Sequence, residues 1–294
     1  DTLKVGVNNL GGFRNSMTFV LCGLDIPAKA ALVRSQIEAA VGTEGLEFVL
    51  ARTDHADAAD TEAASALLHV HLRDGDRARA GRAFSAAAVE LALASYPGCT
   101  LTTLPGDATP YGVFTADVVP QDAVEHVAVL PSGDRLPIAP PPLLECKEGP
   151  PVQQKAITRG PSLHPTRRGA LGEVAGARSG DKGGDANLGV WARTDPTWAW
   201  LRGWLTVERL AELLPETAPL TVERYELPNL RALNFVIRGL LGPGVAGSTR
   251  FDPQAKALGE LLRSRVVDLP ADLPAGPPPG AARPADPLAE GVTA

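Results

Sequence analysis

The sequence predicts an α+β protein of two small α/β sandwiches joined by a proline-rich linker. Three observations point there. Of 27 prolines, 13 fall from Pro97 to Pro165 and seven from Pro270 to Pro287, which leaves two proline-poor blocks. Within each block, apolar residues recur first at period two and then at helical spacing, the marks of half-buried strands and one-sided helices. The chain of 294 residues is 44% apolar and 21% charged, enough to give each block its own core. The expected boundaries are 1–128 and 168–269 for the compact blocks, 129–167 for the linker and 270–294 for a disordered tail carrying Pro277-Pro278-Pro279-Gly280.

In the first block, Leu3, Val5 and Val7 alternate, Gly11-Gly12 follows, and Met17, Phe19 and Leu21 alternate again, which reads as a hairpin. Pro27 suits a helix's first turn. Ala30, Val33, Ile37, Ala40 and Val41 give that helix an inward stripe, and Gly42 suits its C-cap. Leu46–Leu50 and Leu67–Leu72 read as strands. A helix from about Arg77 then carries Phe84, Ala87, Ala88 and Leu91 on one face, and Thr100–Leu104 supplies a last strand. The order β-β-α-β-β-α-β contains the split βαβ pattern of ferredoxin-like folds, in which both helices cover one sheet face.

The second block repeats this logic. Leu188, Val190 and Ala192 alternate, and a helix is expected over 198–214. A hairpin of Val222–Leu227 and Arg231–Leu240 turns at Pro228-Asn229. Asp252-Pro253 reads as N-cap and N1 of a helix through about Arg265, with a closing strand over Arg265–Leu269.

A net charge of −6 and a pI near 5.5 argue against a nucleic-acid or anionic-membrane surface. Three cysteines without C-x-x-C spacing argue against a disulfide framework or thiolate zinc site and suit a reducing cytoplasm. No apolar run approaches a membrane span and no signal peptide is evident. The chain opens in alternating strand pattern without Met, so it reads as part of something longer.

The densest polar stretch runs from Arg178 to Asn187. Glycines at 180, 183 and 184 suit a backbone nest for an anion, with Arg178 and Lys182 adding charge. It is neither a Walker loop, since Gly183 follows the lysine, nor a dinucleotide fingerprint, since no helix begins there. Arg178, Ser179, Gly180, Gly183, Asn187 and Asn234 are the candidate ligand contacts, and Asp181 and Lys182 the candidate catalytic pair. The competing reading is a structural loop tied by its own ion pairs. Asn187 and Asn234 fall with Trp191, Arg193 and Arg238 on the sheet face turned away from the helices, which suits a partner or ligand surface. His69 and His71 leave one strand face together, but no third ligand is fixed beside them, so no metal is assigned. Cys99 lacks the context of a nucleophile. Asn9–Asn15 is read equally as a ligand-binding hairpin tip or an ordinary turn.

Arg178-Ser179-Gly180-Asp181-Lys182-Gly183 with Asn187-Leu188-Gly189-Val190, then Glu223–Asn229 and Ala232-Leu233-Asn234-Phe235, closely resembles the C-terminal part of the AtuA-type acyclic terpene utilisation family. Gly242-Pro243-Gly244-Val245, Ser248 and Phe251–Lys256 continue the match, with Pro243 and Ala246 departing from the family's glycine run. The likeness spans about 168–268. A looser one over 1–128, clearest at Asn8–Asn15, is to the end of the family's large α/β region, whose bulk would precede Asp1. The resemblance implies a soluble bacterial catabolic protein handling acyclic terpenes such as citronellol and geraniol as CoA thioesters, with a ferredoxin-like C-terminal module. It carries over no catalytic residues and no cofactor.

Two functions follow as expectations. One is an enzyme, or the C-terminal part of one, acting on a branched acyl-CoA or related acid, with the 178–182 stretch holding the anionic group. The other is a non-catalytic module that oligomerises a larger α/β enzyme. The expected partners are a small-molecule acid or acyl-CoA, the upstream α/β region and further copies of the chain.

Overall fold

The computed structural model describes residues 2–91, 95–103, 106–139 and 165–273. Most of the expected linker, with Cys146 and His164, and nearly all of the expected tail lie outside them. The architecture is mixed α+β with several antiparallel sheets, as expected. Two compact units divide the chain, and the segment Ala246–Phe251 belongs with the first.

In the first unit, β1 (Thr2–Cys22) leads to α1 (Ile26–Val41), β2 (Leu46–Ala51) and β3 (Ser65–Asp74). A wide turn, Arg79–Ala83, runs into α2 (Phe84–Leu91), and β4 (Thr100–Leu101) and β5 (Thr109–Pro120) follow. The sheet order is β2-β3-β1-β4, all antiparallel, with β5 also pairing β1. Met17, Phe19 and Leu21 of β1 and Leu68, Val70 and Leu72 of β3 are buried against Val33 and Ile37 of α1 and Phe84 and Ala88 of α2. The alternation therefore turns every other residue of β1 and β3 to the opposite face. Ala40, expected in the α1 stripe, is exposed.

The expected hairpin at Gly11-Gly12 is not formed. β1 is one strand of 21 residues, and the glycine pair marks a bulge where its register with β5 shifts between Leu10 and Gly12. Gly12 has φ +120°, and a Cβ there would stand 2.7 Å from the Asp74 carbonyl oxygen. Residues 2–12 of β1 with 111–120 of β5 form a two-stranded ribbon beyond the sheet. The segment read as extended linker begins instead with a small hairpin, β6 (Val127–Val129) and β7 (Arg135–Pro137).

In the second unit, β8 (Thr166–Ala170), β9 (Ala175–Lys182) and β10 (Asp185–Ala192) precede α3 (Asp195–Trp204) and α4 (Val207–Leu213). β11 (Val222–Leu227), β12 (Ala232–Ile237), α5 (Leu258–Ser264) and β13 (Val266–Pro270) follow. Leu188, Val190, Leu233, Phe235 and Ile237 of the sheet are buried with Leu201, Leu210, Leu258 and Leu262 of the helices.

Four expectations change here. The helix expected over 198–214 is two, because Thr206 accepts the Arg209 N–H and starts a new one. Asp252 caps a turn rather than a long helix: its carboxylate takes the Lys256 and Ala257 N–H groups, and Ala255 has φ 51°. The expected closing strand, β13, pairs β8 instead, because β9 occupies the place beside β10 in the order β11-β12-β10-β9. The 178–182 stretch is itself that strand, and Gly183, at φ +67°, turns it into β10. No helix among the described residues is long and apolar enough to cross a membrane.

Candidate functional site

Because 178–182 is a strand, its candidates alternate between faces. Gly180 lies opposite Asn187, and Arg178 opposite Gly189, which lies in turn opposite Asn234. Arg178, Gly180, Lys182, Asn187 and Asn234 therefore share the sheet face turned away from the core. Asn187 and Asn234 are joined by reciprocal amide hydrogen bonds of 2.8 and 3.1 Å. Lys182 Nζ donates to the Asp181 backbone oxygen at 2.9 Å.

Ser179 and Asp181 fall on the opposite face. Ser179 Oγ accepts the Gly259 N–H at 2.8 Å and donates to the Lys256 carbonyl at 3.3 Å, which holds the start of α5 against β9. The structure thus separates Asp181 from Lys182 and gives Ser179 a structural partner. At the end of the outer face, Arg238 clamps Asp185 at 2.7 Å and Glu223 at 2.8 Å. Burial pushes the Asp185 carboxyl up, but the Gly239 N–H and Arg238 outweigh it and hold the group below the ordinary range. Arg193 lies beyond the end of β10.

A second polar cluster forms in the first unit, on the sheet face that α1 and α2 leave uncovered. Three rows of cross-strand neighbours build it. Arg14 of β1 is opposite Arg73 of β3, and Ser16 is opposite His71, which lies in turn opposite Glu47 of β2. In the third row Thr18 is opposite His69, with 2.9 Å between Thr18 Oγ1 and His69 Nδ1.

Over these rows lies the strap Ala246–Phe251. Arg14 donates to the Ala246 carbonyl and Arg73 to the Gly247 carbonyl, the latter at 2.7 Å. Thr249 Oγ1 donates to Glu47 at 2.5 Å, and the Phe251 ring meets His69 edge-on at 5.9 Å. A cavity of about 460 Å³ is walled by Arg14, Ser16, His71 and Arg73 of the sheet, by the strap at 247–250 and by the β4–β5 connection at Gly106 and Asp107. That volume is within the range of small-ligand sites.

Three arginines, Arg14, Arg73 and Arg250, line the cavity, in a chain of net charge −6. Its acid, Asp107, is held low by the Ala108 N–H and by Arg77 at 2.9 Å. Burial pushes the His71 imidazole down. The Glu47 carboxylate opposes this, and His69, Arg73 and Arg14 reinforce it. The site therefore offers guanidinium groups for an anion and, near neutral pH, an uncharged imidazole beside a hydroxyl.

His69 and His71 share one face, as the alternation predicts, and Arg14 falls within the Asn9–Asn15 stretch read as a possible ligand contact; Ser16, Arg73 and the strap are not singled out by the sequence. The usable signal was the polar half of each strand's alternation: Arg14, Ser16 and Thr18 in one, His69, His71 and Arg73 in the other. Asn15, read within a hairpin tip, lies mid-strand and ties the Ala80 and Gly106 carbonyls, each at 3.0 Å. Among the described residues no group of three or more His, Cys, Asp or Glu side chains is placed to hold a metal ion.

Residues 169–268 match the AtuA ferredoxin-like domain, and residues 1–130 match the acyclic terpene utilisation family protein AtuA. No curated protein and no solved structure matches the chain.

Proposed function

The chain belongs to the AtuA acyclic terpene utilisation family, and from that premise we propose that it serves terpene breakdown by holding a branched acyl-CoA or the corresponding acid in the cavity of the first unit. The observation that carries this reading is the Arg14–Arg73 row under the strap: two guanidinium groups side by side at one cavity suit phosphate or carboxylate oxygens, which they meet with charge-assisted hydrogen bonds. We read the first unit as a second ferredoxin-like sandwich, from its βαββαβ connectivity and its order β2-β3-β1-β4. Arg178 and Lys182, on the outer face of the second unit, are the competing anion site.

Titration calorimetry with geranyl-CoA and with free CoA tests the assignment. The expected result is binding that Arg14→Gln and Arg73→Gln each weaken by about 10-fold or more and that Lys182→Ala leaves intact. Binding abolished by Lys182→Ala and indifferent to both arginine variants would move the site to the second unit. No heat with either ligand would remove the reading.

A second reading, an assembly module, is favoured by the β1–β5 ribbon. Leu10, Phe114 and Val118 stand on one of its faces at 70%, 50% and 61% exposure, and a two-stranded ribbon is marginal in water without a covering partner. Self-association through this face is compatible with ligand binding in the cavity, so the two readings do not compete.

A further inference from the structure

The middle row of the polar sheet face has a chemical order of its own: a serine hydroxyl on β1, an imidazole on β3 and a carboxylate on β2, each directly opposite the next. Side chains so placed start from Cβ atoms about 4.5–5.5 Å apart, within hydrogen-bonding reach of one another. The adjacent row demonstrates that reach. Thr18 Oγ1 stands 2.9 Å from His69 Nδ1 in the same register, and the His69 and His71 rings are nearly parallel, at 17°, with centroids 6.4 Å apart. Ser16 and His71 share that register, as do His71 and Glu47; their side chains are not hydrogen-bonded to one another in the free chain, and catalytic contacts of this kind commonly tighten only when substrate is bound. Glu47 is fixed on the other side by the Thr249 hydroxyl at 2.5 Å and Arg73 at 3.7 Å. Ser16 and His71 both line the cavity, and the Arg14–Arg73 row borders them.

We propose that Ser16 and His71 are the nucleophile and general base of a thioester-hydrolysing site in this cavity, with Glu47 positioning the imidazole; this rests on the reading that the cavity holds an anionic acyl thioester. The arrangement follows the general logic of a nucleophile, a base and a group that orients the base. Ser16 Oγ attacks the thioester carbonyl carbon while its proton passes to His71. The oxyanion that forms is met by the neighbouring guanidinium groups. The C–S bond then breaks, the His71 proton goes to the departing sulfur, and the thiol leaves with the acyl group bonded to Ser16. Water, losing a proton to His71, attacks the ester carbonyl. The acyl–oxygen bond breaks, Ser16 recovers its proton, and the free acid is released. A neutral imidazole at pH 7 suits the first step, and burial of His71 favours that form.

The experiment has two arms on the whole chain. A fluorophosphonate probe, which tags activated serines without requiring the natural substrate, is followed by peptide mass spectrometry. Thiol release from geranyl-CoA is followed colorimetrically. The expected results are a single adduct on Ser16 and thiol release that Ser16→Ala and His71→Gln each reduce by at least about 100-fold. Glu47→Gln should lower the rate and move the acid limb of its pH profile, with partial recovery in Glu47→Asp; a merely structural carboxylate would leave that limb in place. A wild-type chain that binds geranyl-CoA calorimetrically yet takes no probe at Ser16, or a Ser16→Ala chain that keeps the thiol-release rate, overturns the proposal and leaves the binding reading standing. Labelling of Ser16 without geranyl-CoA binding upholds the nucleophile and refutes the thioester substrate.

Discussion

Two guanidinium groups directly opposite each other on neighbouring strands repel, and Arg14 and Arg73 are held in that relation. The strap carbonyls and Glu47 offset part of the repulsion, and an anion between the two arginines would offset more. Binding and stability are therefore linked. With about 10 mM phosphate against a Kd of about 1 mM, the linkage is worth about 1.4 kcal/mol, or roughly 3–6 °C in Tm. Scanning calorimetry against chloride at equal ionic strength should show that shift in the wild type and lose it in Arg14→Gln; equal shifts in both would place the anion elsewhere. His71 gives a second prediction at this scale. It is faced by Glu47 from β2, Arg14 and Ser16 from β1, His69 and Arg73 on its own strand, and Arg250 from the strap. Burial holds its folded value below the ordinary one of about 6.5. As pH falls through about 6.5, the unfolded chain binds a proton at this site before the folded chain does. Stability is thus intact above that pH and declines from it toward the lowered folded value. Urea midpoints at pH 7.5 and 5.5 should fall further apart in the wild type than in His71→Gln.

Among the elements, β1 shows what can be decided locally and what cannot. The alternation of Leu3–Val7 and of Met17–Leu21 is plain in the sequence and is realised. A Gly-Gly pair between two such runs suits a hairpin turn and a bulge equally, and the choice rests on β5, which reaches Arg14 from 95 residues away. β9 was obscured for a different reason. Its inward positions are Ala175, Ala177, Ser179 and Asp181, too small or too polar to register as an apolar period, so its glycines read as a loop. The cavity was half legible: the polar faces of β1 and β3 can be read from alternation, but their register, and a strap drawn from the far end of the sequence, cannot. The bulge can be tested directly. Gly12→Ala puts a side chain at φ +120° and a Cβ 2.7 Å from the Asp74 oxygen, which should cost about 1–3 kcal/mol or more. A urea midpoint for the first unit within error of wild type would show that the bulge relaxes without cost.

At the scale of the whole molecule, sequence order and spatial grouping disagree at one place: Ala246–Phe251 falls inside the 169–268 match yet belongs to the first unit. A chain cut between the two matched regions would therefore leave the cavity without its strap. The same unit carries the exposed ribbon. Ten or so residue pairs at about 3.4 Å per residue, two strands wide, give a face of roughly 350 Å². That is under half of the roughly 800 Å² each partner contributes to a standard interface, so pairing of two copies through this face alone should be weak and concentration-dependent. Sedimentation velocity should show monomer at about 1 μM and a growing dimer fraction toward about 100 μM, on the scale of a micromolar Kd. Phe114→Lys replaces the largest apolar side chain of the face, where Phe114 covers Gly6, with a second charge beside Lys4, and should hold the chain monomeric across that range. If Phe114→Lys dimerises as the wild type does, self-association runs through another surface; if the wild type stays monomeric at 100 μM, the ribbon is not a self-association surface in this chain.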